Sequence, residues 1–248
     1  MKPAIGIIGG SGFYMLAEKY SSVTESVVTP YSQLPVDVSN VEIGDKKVVF
    51  IPRHGAVHAI PPHKINYRAN LYAMKSCGVD RIIAVNVVGG ISPNMAPGML
   101  MVPDQLIDYT WGREHTFFDE LGGAENHIDF TWPYDKSLGR LLEKHAREKG
   151  YDIQKGGVYG CTQGPRLETA AEIHRMARDG CDIVGMTGMP EAALARELDI
   201  SYACIALVVN WAAGVTDRLI SFEDIATTLE SGIAGVRDIV LASVAELD

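Results

Sequence analysis

The stretch from Cys181 to Ala213 constrains the fold most. It reads as a short apolar strand over residues 182–184, a Gly/Met/Thr loop, a helix entered at Pro190, and a second strand over residues 202–209 that stops at the polar Asn210. A strand-helix-strand unit predicts a crossover between parallel neighbours, which would place its two polar strand ends, Met186-Thr187 and Asn210, on one edge of the sheet. In open α/β sheets the carboxyl edge of the strands is where ligands bind. Thr187 offers a hydroxyl and a loop amide, and Asn210 offers both a donor and an acceptor. The pair therefore suits an oxyanion at one end and a heterocycle at the other.

The 248 residues are 47% hydrophobic and 21% charged. With no linker or low-complexity run to divide them, they predict a single domain over residues 1–248. No apolar run reaches the roughly 18 residues of a membrane span, and no basic leader precedes the first strand, so a cytoplasmic chain with no membrane partner is expected. The formal charge of −9 argues against nucleic acid as a partner and requires any anionic substrate to be held by local donors. Cys77, Cys161, Cys181 and Cys204 form no C-x-x-C pair and sit in apolar or helix-end contexts. They are read as packing residues, with no metal implied.

Residues 4–8 form a buried-type strand that runs into Gly9-Gly10-Ser11-Gly12. These glycines could let amides converge on an anion beside the Ser11 hydroxyl, or could simply make a tight strand-to-helix turn. The loop is neither the dinucleotide fingerprint, which would need a glycine at Met15, nor a Walker loop, which would need G-K-[ST]. Residues 36–41 and 47–51 flank Gly44-Asp45 as a hairpin, and the second strand delivers Arg53-His54-Gly55 at its end. That pair is either an anion clamp or a solvated loop with a carboxylate partner. Residues 81–88 form a central, nearly continuous apolar strand ending at Gly89-Gly90. Asn86 within it is either a satisfied core amide or a site residue. Residues 108–133 hold aromatics and histidines without a clear period, as interface or functional loops do. Asp135 and Ser221 open further helices, and Ile225, Leu229, Ile233, Val236, Ile239 and Val240 make a core stripe on the last one.

Five stretches, in order, carry a resemblance: Gly9-Gly-Ser-Gly12, Arg53-His-Gly55, Gly164-Pro-Arg-Leu167, Met186-Thr-Gly-Met-Pro-Glu191 and Ala206-Leu-Val-Val-Asn-Trp211. Together they resemble the trimeric purine nucleoside phosphorylase and methylthioadenosine phosphorylase family along essentially the whole chain. The resemblance implies an α/β fold with a mixed, mostly parallel central sheet surrounded by helices. It also implies a homotrimer or a hexamer made of two trimers. The implied reaction is phosphate-dependent cleavage of a purine nucleoside with no cofactor, inorganic phosphate being a co-substrate. Carried over by motif, Ser11, Arg53, His54, Asn86 and Thr187 would bind phosphate. Val87, Leu167 and Met186 would line the nucleoside, Asn210, Trp211 and Ala212 would face the base, and Phe222 and Ile225 would wall the sugar 5′ position.

Such a reaction passes through a ribosyl cation-like state, so an anion beneath C1′ and a group stabilising the departing purine suffice without a protein nucleophile. Methylthioadenosine phosphorylases carry a T-D-Y-D motif where this chain reads Val209-Asn210-Trp211-Ala212. Both carboxylates are missing, and an asparagine can donate to the O6 or N7 of a 6-oxopurine. The expected substrate is therefore S-methyl-5′-thioinosine, giving hypoxanthine and 5-methylthioribose 1-phosphate, with Asn210 as the catalytic group. A general 6-oxopurine nucleoside phosphorylase and a methylthioadenosine phosphorylase are the alternatives. A nicotinamide-dependent oxidoreductase and a non-catalytic nucleotide binder are more distant ones.

Overall fold

A computed structural model describes residues 4–10, 20, 22–57, 59–118 and 126–247. Eleven strands join in one sheet, organised around β5 (Val79–Gly90), the longest of them. Its apolar run leaves both faces covered, as a central strand requires. Along one edge, the first half of β5 pairs in parallel with β1 (Ala4–Gly9). Beyond β1 come β4 (Lys46–Pro52), β3 (Val36–Ile43) and β2 (Ser22–Val27). The expected hairpin is β3-β4, turned at Gly44, whose φ of 63° suits glycine. The last two residues of β5 pair on that same edge with β10 (Ile183–Gly185), which continues to β9 (Val158–Cys161) and β7 (Gln105–Asp108). The opposite edge takes β11 (Ser201–Trp211) in parallel along nearly its whole length, followed by β6 (Leu100–Val102) and β8 (Ile153–Lys155).

Helices cover both faces, and their ends follow side-chain chemistry. On one side α1 (Tyr67–Ser76), capped by Asn66, and the short α4 (Glu191–Glu197) bury Leu71, Met74, Ala192 and Leu194 among Ile8, Ile82 and Ile183. On the other side α2 (Lys136–Glu148) starts at Asp135, whose carboxylate accepts from Ser137 and Leu138, and α5 (Phe222–Glu246) starts at Ser221. Their Leu138, Leu142, Val236, Ile239 and Val240 pack on Ile7, Ile83 and Ile205. Ile225, Leu229 and Ile233 of the α5 stripe are only partly buried. The Thr169/Glu172 capping box opens α3 (Ala170–Arg178).

The central unit departs from the sequence expectation in one respect. β10 and β11 flank β5 on opposite edges, and β10 runs antiparallel to β5 while β11 runs parallel. The two strands are thus not parallel neighbours. This reversal sets the geometry of the site.

Candidate active site

A cavity of about 220 Å3 lies along β5. Register fixes its axis: Val184 of β10 and Asn210 of β11 both stand opposite Gly89. Because β10 runs backwards from that point, Thr187 falls level with Asn86, whose Nδ2 donates to Thr187 Oγ1 at 2.7 Å. Three residues of extended chain at about 3.3 Å each separate the two levels by about 10 Å. Thr187 and Asn210 therefore mark opposite ends of one cavity, with Val87 and Met186 in its lining between them. A register shift between Val208 and Asn210 interrupts the alternation of β11. The bulge allows Val209 and Asn210, consecutive residues, both to reach the cavity.

Of the residues proposed from sequence, Arg53, His54, Val87, Leu167, Met186, Thr187, Asn210, Ala212 and Ile225 line this cavity. Asn86 stands behind Thr187 and is almost fully buried. Trp211 lies outside it, lining an adjoining depression with Arg218 and Leu219, while its carbonyl accepts from Asn210 Nδ2 at 2.7 Å. Phe222 does not reach the cavity and is 75% exposed; Ile220 stands beside Ile225 instead. Ser11 is outside the described residues, as is much of the aromatic loop 117–127. Of that loop, Phe117 packs against Tyr31.

The Thr187 end is built from two strand termini and a glycine. His54 Nδ1 lies 2.8 Å from the Ile60 carbonyl, which can only accept, so Nδ1 carries the proton. A Cβ built on Gly10 would sit 3.7 Å from His54 Nε2 and 3.9 Å from Arg53 Nη1, which places all three around one spot. Arg53 is 2% exposed and does have the carboxylate partner weighed from sequence, but that partner is buried. Its Nε and Nη2 donate to Glu191 at 2.7 and 2.8 Å, Nη1 to the Val85 carbonyl at 3.0 Å, and Nη2 to the Ile8 carbonyl at 3.5 Å. One Nη1 proton remains for the cavity. Burial alone pushes Arg53 down, but the Glu191 carboxylate outweighs it and the net shift is upward. Glu191 is fully buried and also accepts from the Tyr202 hydroxyl at 2.8 Å.

Sequence reasoning missed Glu191 and Glu168, because both stand near helix starts, where a carboxylate is already explained by the dipole. Glu168 lines the cavity and accepts from Thr162 Oγ1 at 2.6 Å, while Thr162 also contacts the Gly185 carbonyl. Gly185 follows Val184, so Glu168 belongs to the Asn210 half. Gly164 adopts a φ of 61°, and a Cβ there would meet Met186 Sδ at 2.5 Å, so glycine is what lets Met186 seat over that turn. The turn is held by the buried Arg113, which donates to the carbonyls of Thr162 and Gln163 at 3.2 and 2.8 Å. Among the described residues, no group of three His, Cys, Asp or Glu comes together that could hold a metal, and no helix is long and apolar enough to cross a membrane.

The sequence profile described as "Phosphorylase superfamily" matches residues 4–245. The chain belongs to that superfamily. A probable S-methyl-5′-thioinosine phosphorylase from Xanthomonas campestris is 46% identical over 238 residues, 96% of this chain and 95% of the relative. A 6-oxopurine nucleoside phosphorylase from Pyrococcus furiosus is 42% identical over 250 residues, 98% of this chain and 92% of that one. The solved structure of methylthioadenosine phosphorylase from Schistosoma mansoni with adenine superimposes with a TM-score of 0.89 at 33% identity, covering 98% of this phosphorylase and 91% of that chain.

Proposed function

We propose that this phosphorylase cleaves S-methyl-5′-thioinosine with inorganic phosphate, releasing hypoxanthine and 5-methylthioribose 1-phosphate. The observation that carries the base preference is that one amide, Asn210, and one carboxylate, Glu168, line the same cavity, the carboxylate being held by Thr162, whose hydroxyl also contacts the Gly185 carbonyl. A 6-oxopurine presents an N1–H to a carboxylate, whereas adenine presents a lone pair there. The two sequence relatives at 46% and 42% identity bear names of the same class of base, whereas the structural relative at 33% identity holds adenine.

Phosphate would occupy the spot shared by Gly10, Arg53, His54 and Thr187. A phosphate oxygen attacks C1′ as the C1′–N9 bond breaks, and the bonding pair leaves with the base. N7 of the departing purine takes up, through solvent, the proton that monohydrogen phosphate gives up on becoming an ester, and the Asn210 carbonyl oxygen accepts the resulting N7–H hydrogen bond while the amide N–H supports O6. With the Thr187 and Asn210 backbone levels about 10 Å apart and apolar Val87 and Met186 between them, the cavity can hold phosphate, C1′ and purine in line, which favours reaction by alignment and electrostatics rather than by acid–base chemistry. We further read the enzyme as cytoplasmic, cofactor-free and trimeric or hexameric; light scattering of the purified protein tests the last point.

The 5′ preference rests on Ile220 and Ile225, two apolar side chains in the cavity lining. Burying a hydroxyl unpaired costs about 1–3 kcal/mol, which corresponds to roughly ten- to hundredfold in kcat/KM. Purified enzyme assayed with and without phosphate should release base only with phosphate, and faster from methylthioinosine than from inosine by that factor. Ile225→Asn should narrow the gap. Equal efficiency on inosine would reject the methylthio reading and leave an ordinary 6-oxopurine nucleoside phosphorylase.

A further inference from the structure

Behind the anion end of the cavity, two strand side chains and one from the loop after β10 form a buried chain. Cys204 Sγ donates to Asn86 Oδ1 at 3.2 Å, and Asn86 Nδ2 donates to Thr187 Oγ1 at 2.7 Å. Cys204 and Asn86 are each 1% exposed, and only Thr187 reaches the cavity. β5 and β11 are paired directly here, with Cys204 opposite Ala84 and Ala206 opposite Asn86, so Cys204 and Asn86 are diagonal neighbours on one face of the sheet.

The direction of this chain matters. A thiol is a weak donor and a weaker acceptor, so facing Cys204 the Asn86 amide gains by presenting its oxygen. Burial pushes the Cys204 thiol up, which keeps the proton on sulfur. With its oxygen on the thiol, the amide must present Nδ2 to Thr187. Thr187 Oγ1 then accepts, and its own proton remains for the cavity. Were the amide turned over, Thr187 would have to donate to the Asn86 oxygen and would offer the cavity only lone pairs, which repel an anion.

We propose that Cys204 is a positioning residue for phosphate: its S–H orients the Asn86 amide, and the amide turns the Thr187 hydroxyl into a donor aimed at the anion. The inference rests on the phosphorolysis reading above and assigns a role to a cysteine read from sequence only as packing.

The test uses the full-length enzyme and steady-state kinetics, varying phosphate and nucleoside separately. Cys204→Ala removes the orienting donor and should raise KM for phosphate about threefold to tenfold, the range expected for loss of one hydrogen bond, with KM for the nucleoside within twofold of wild type. Cys204→Ser keeps an O–H in the same place and should restore the phosphate KM. Asn86→Asp sets an acceptor against Thr187 and adds a negative charge, so phosphate KM should rise further than in Cys204→Ala. Equal phosphate KM in wild type, Cys204→Ala and Cys204→Ser would overturn the proposal. So would a rise in both KM values together, which is the mark of general loosening. If wild type released base without phosphate, the phosphorolysis reading itself would fall, an outcome distinct from failure of the relay.

Discussion

Arg53→Ala is expected to lose on the order of 3–5 kcal/mol of folding stability, because it leaves the fully buried Glu191 carboxylate without its bidentate partner. Glu191→Gln should lose a comparable amount by stranding the guanidinium. Replacing both, as Arg53→Met with Glu191→Leu, removes two buried charges together and should lose clearly less than the sum of the singles, although the Tyr202 hydroxyl and the Val85 and Ile8 carbonyls each lose a partner. Urea denaturation of the four proteins checks this; additive losses would mean the pair is not coupled. The double variant also isolates the role of Arg53 at the anion. If its remaining Nη1 proton and its charge contribute to phosphate, the folded double variant should need at least roughly tenfold more phosphate for half-saturation, as for loss of a charged hydrogen bond. An unchanged phosphate dependence would leave Arg53 a purely structural residue.

The sequence made Arg53 legible as a residue at a strand end and left two readings open, an anion clamp or a solvated loop with a carboxylate partner. The carboxylate partner exists, but it is the buried Glu191 rather than a solvated group, and the guanidinium borders the cavity. The partner lies 138 residues away in the chain, and no local pattern can announce such a pair. The strands, caps and helical stripes were legible because they follow local periodicity and local hydrogen bonding, as at Asp135 and Thr169. The direction of β10 was not, because the antiparallel pairing of Ile183 and Val184 with Gly90 and Gly89 is a long-range contact that the local pattern of a three-residue strand does not encode. The error had a consequence, since strand ends expected on one edge became the two ends of a cavity. Phe222 illustrates the converse: side chains three apart share a helix face only inside the helix, and Phe222, at its first position, points to solvent while Ile225, one turn on, and Ile220, before the cap, line the cavity.

Asn210→Asp should reverse or narrow the base preference. The Asn210 amide is oriented by the Trp211 carbonyl, which accepts from Nδ2 at 2.7 Å; turning the amide over would set two oxygens against each other. In this orientation Asn210 retains one donor and one acceptor for the base. A departing 6-oxopurine presents O6 as acceptor and N7–H as donor, and satisfies both. A departing adenine presents an amino proton and N7–H, two donors against a single acceptor. Each unmatched group costs about 1–3 kcal/mol, so wild type should favour methylthioinosine over methylthioadenosine by roughly ten- to hundredfold in kcat/KM. Aspartate supplies the second acceptor and removes the donor to O6, which helps adenine and harms hypoxanthine at once. It also places a carboxylate oxygen beside the Trp211 carbonyl, so some loss of overall rate should accompany the change in preference. Glu168→Gln should act in the same direction, since its amide can offer a proton to adenine N1 where the carboxylate could only accept. Side-by-side kinetics on the two methylthio nucleosides for wild type and both variants decide the matter. A wild type that prefers the adenine compound, or an Asn210→Asp enzyme with an unaltered ratio, would show that base selection lies elsewhere in the cavity.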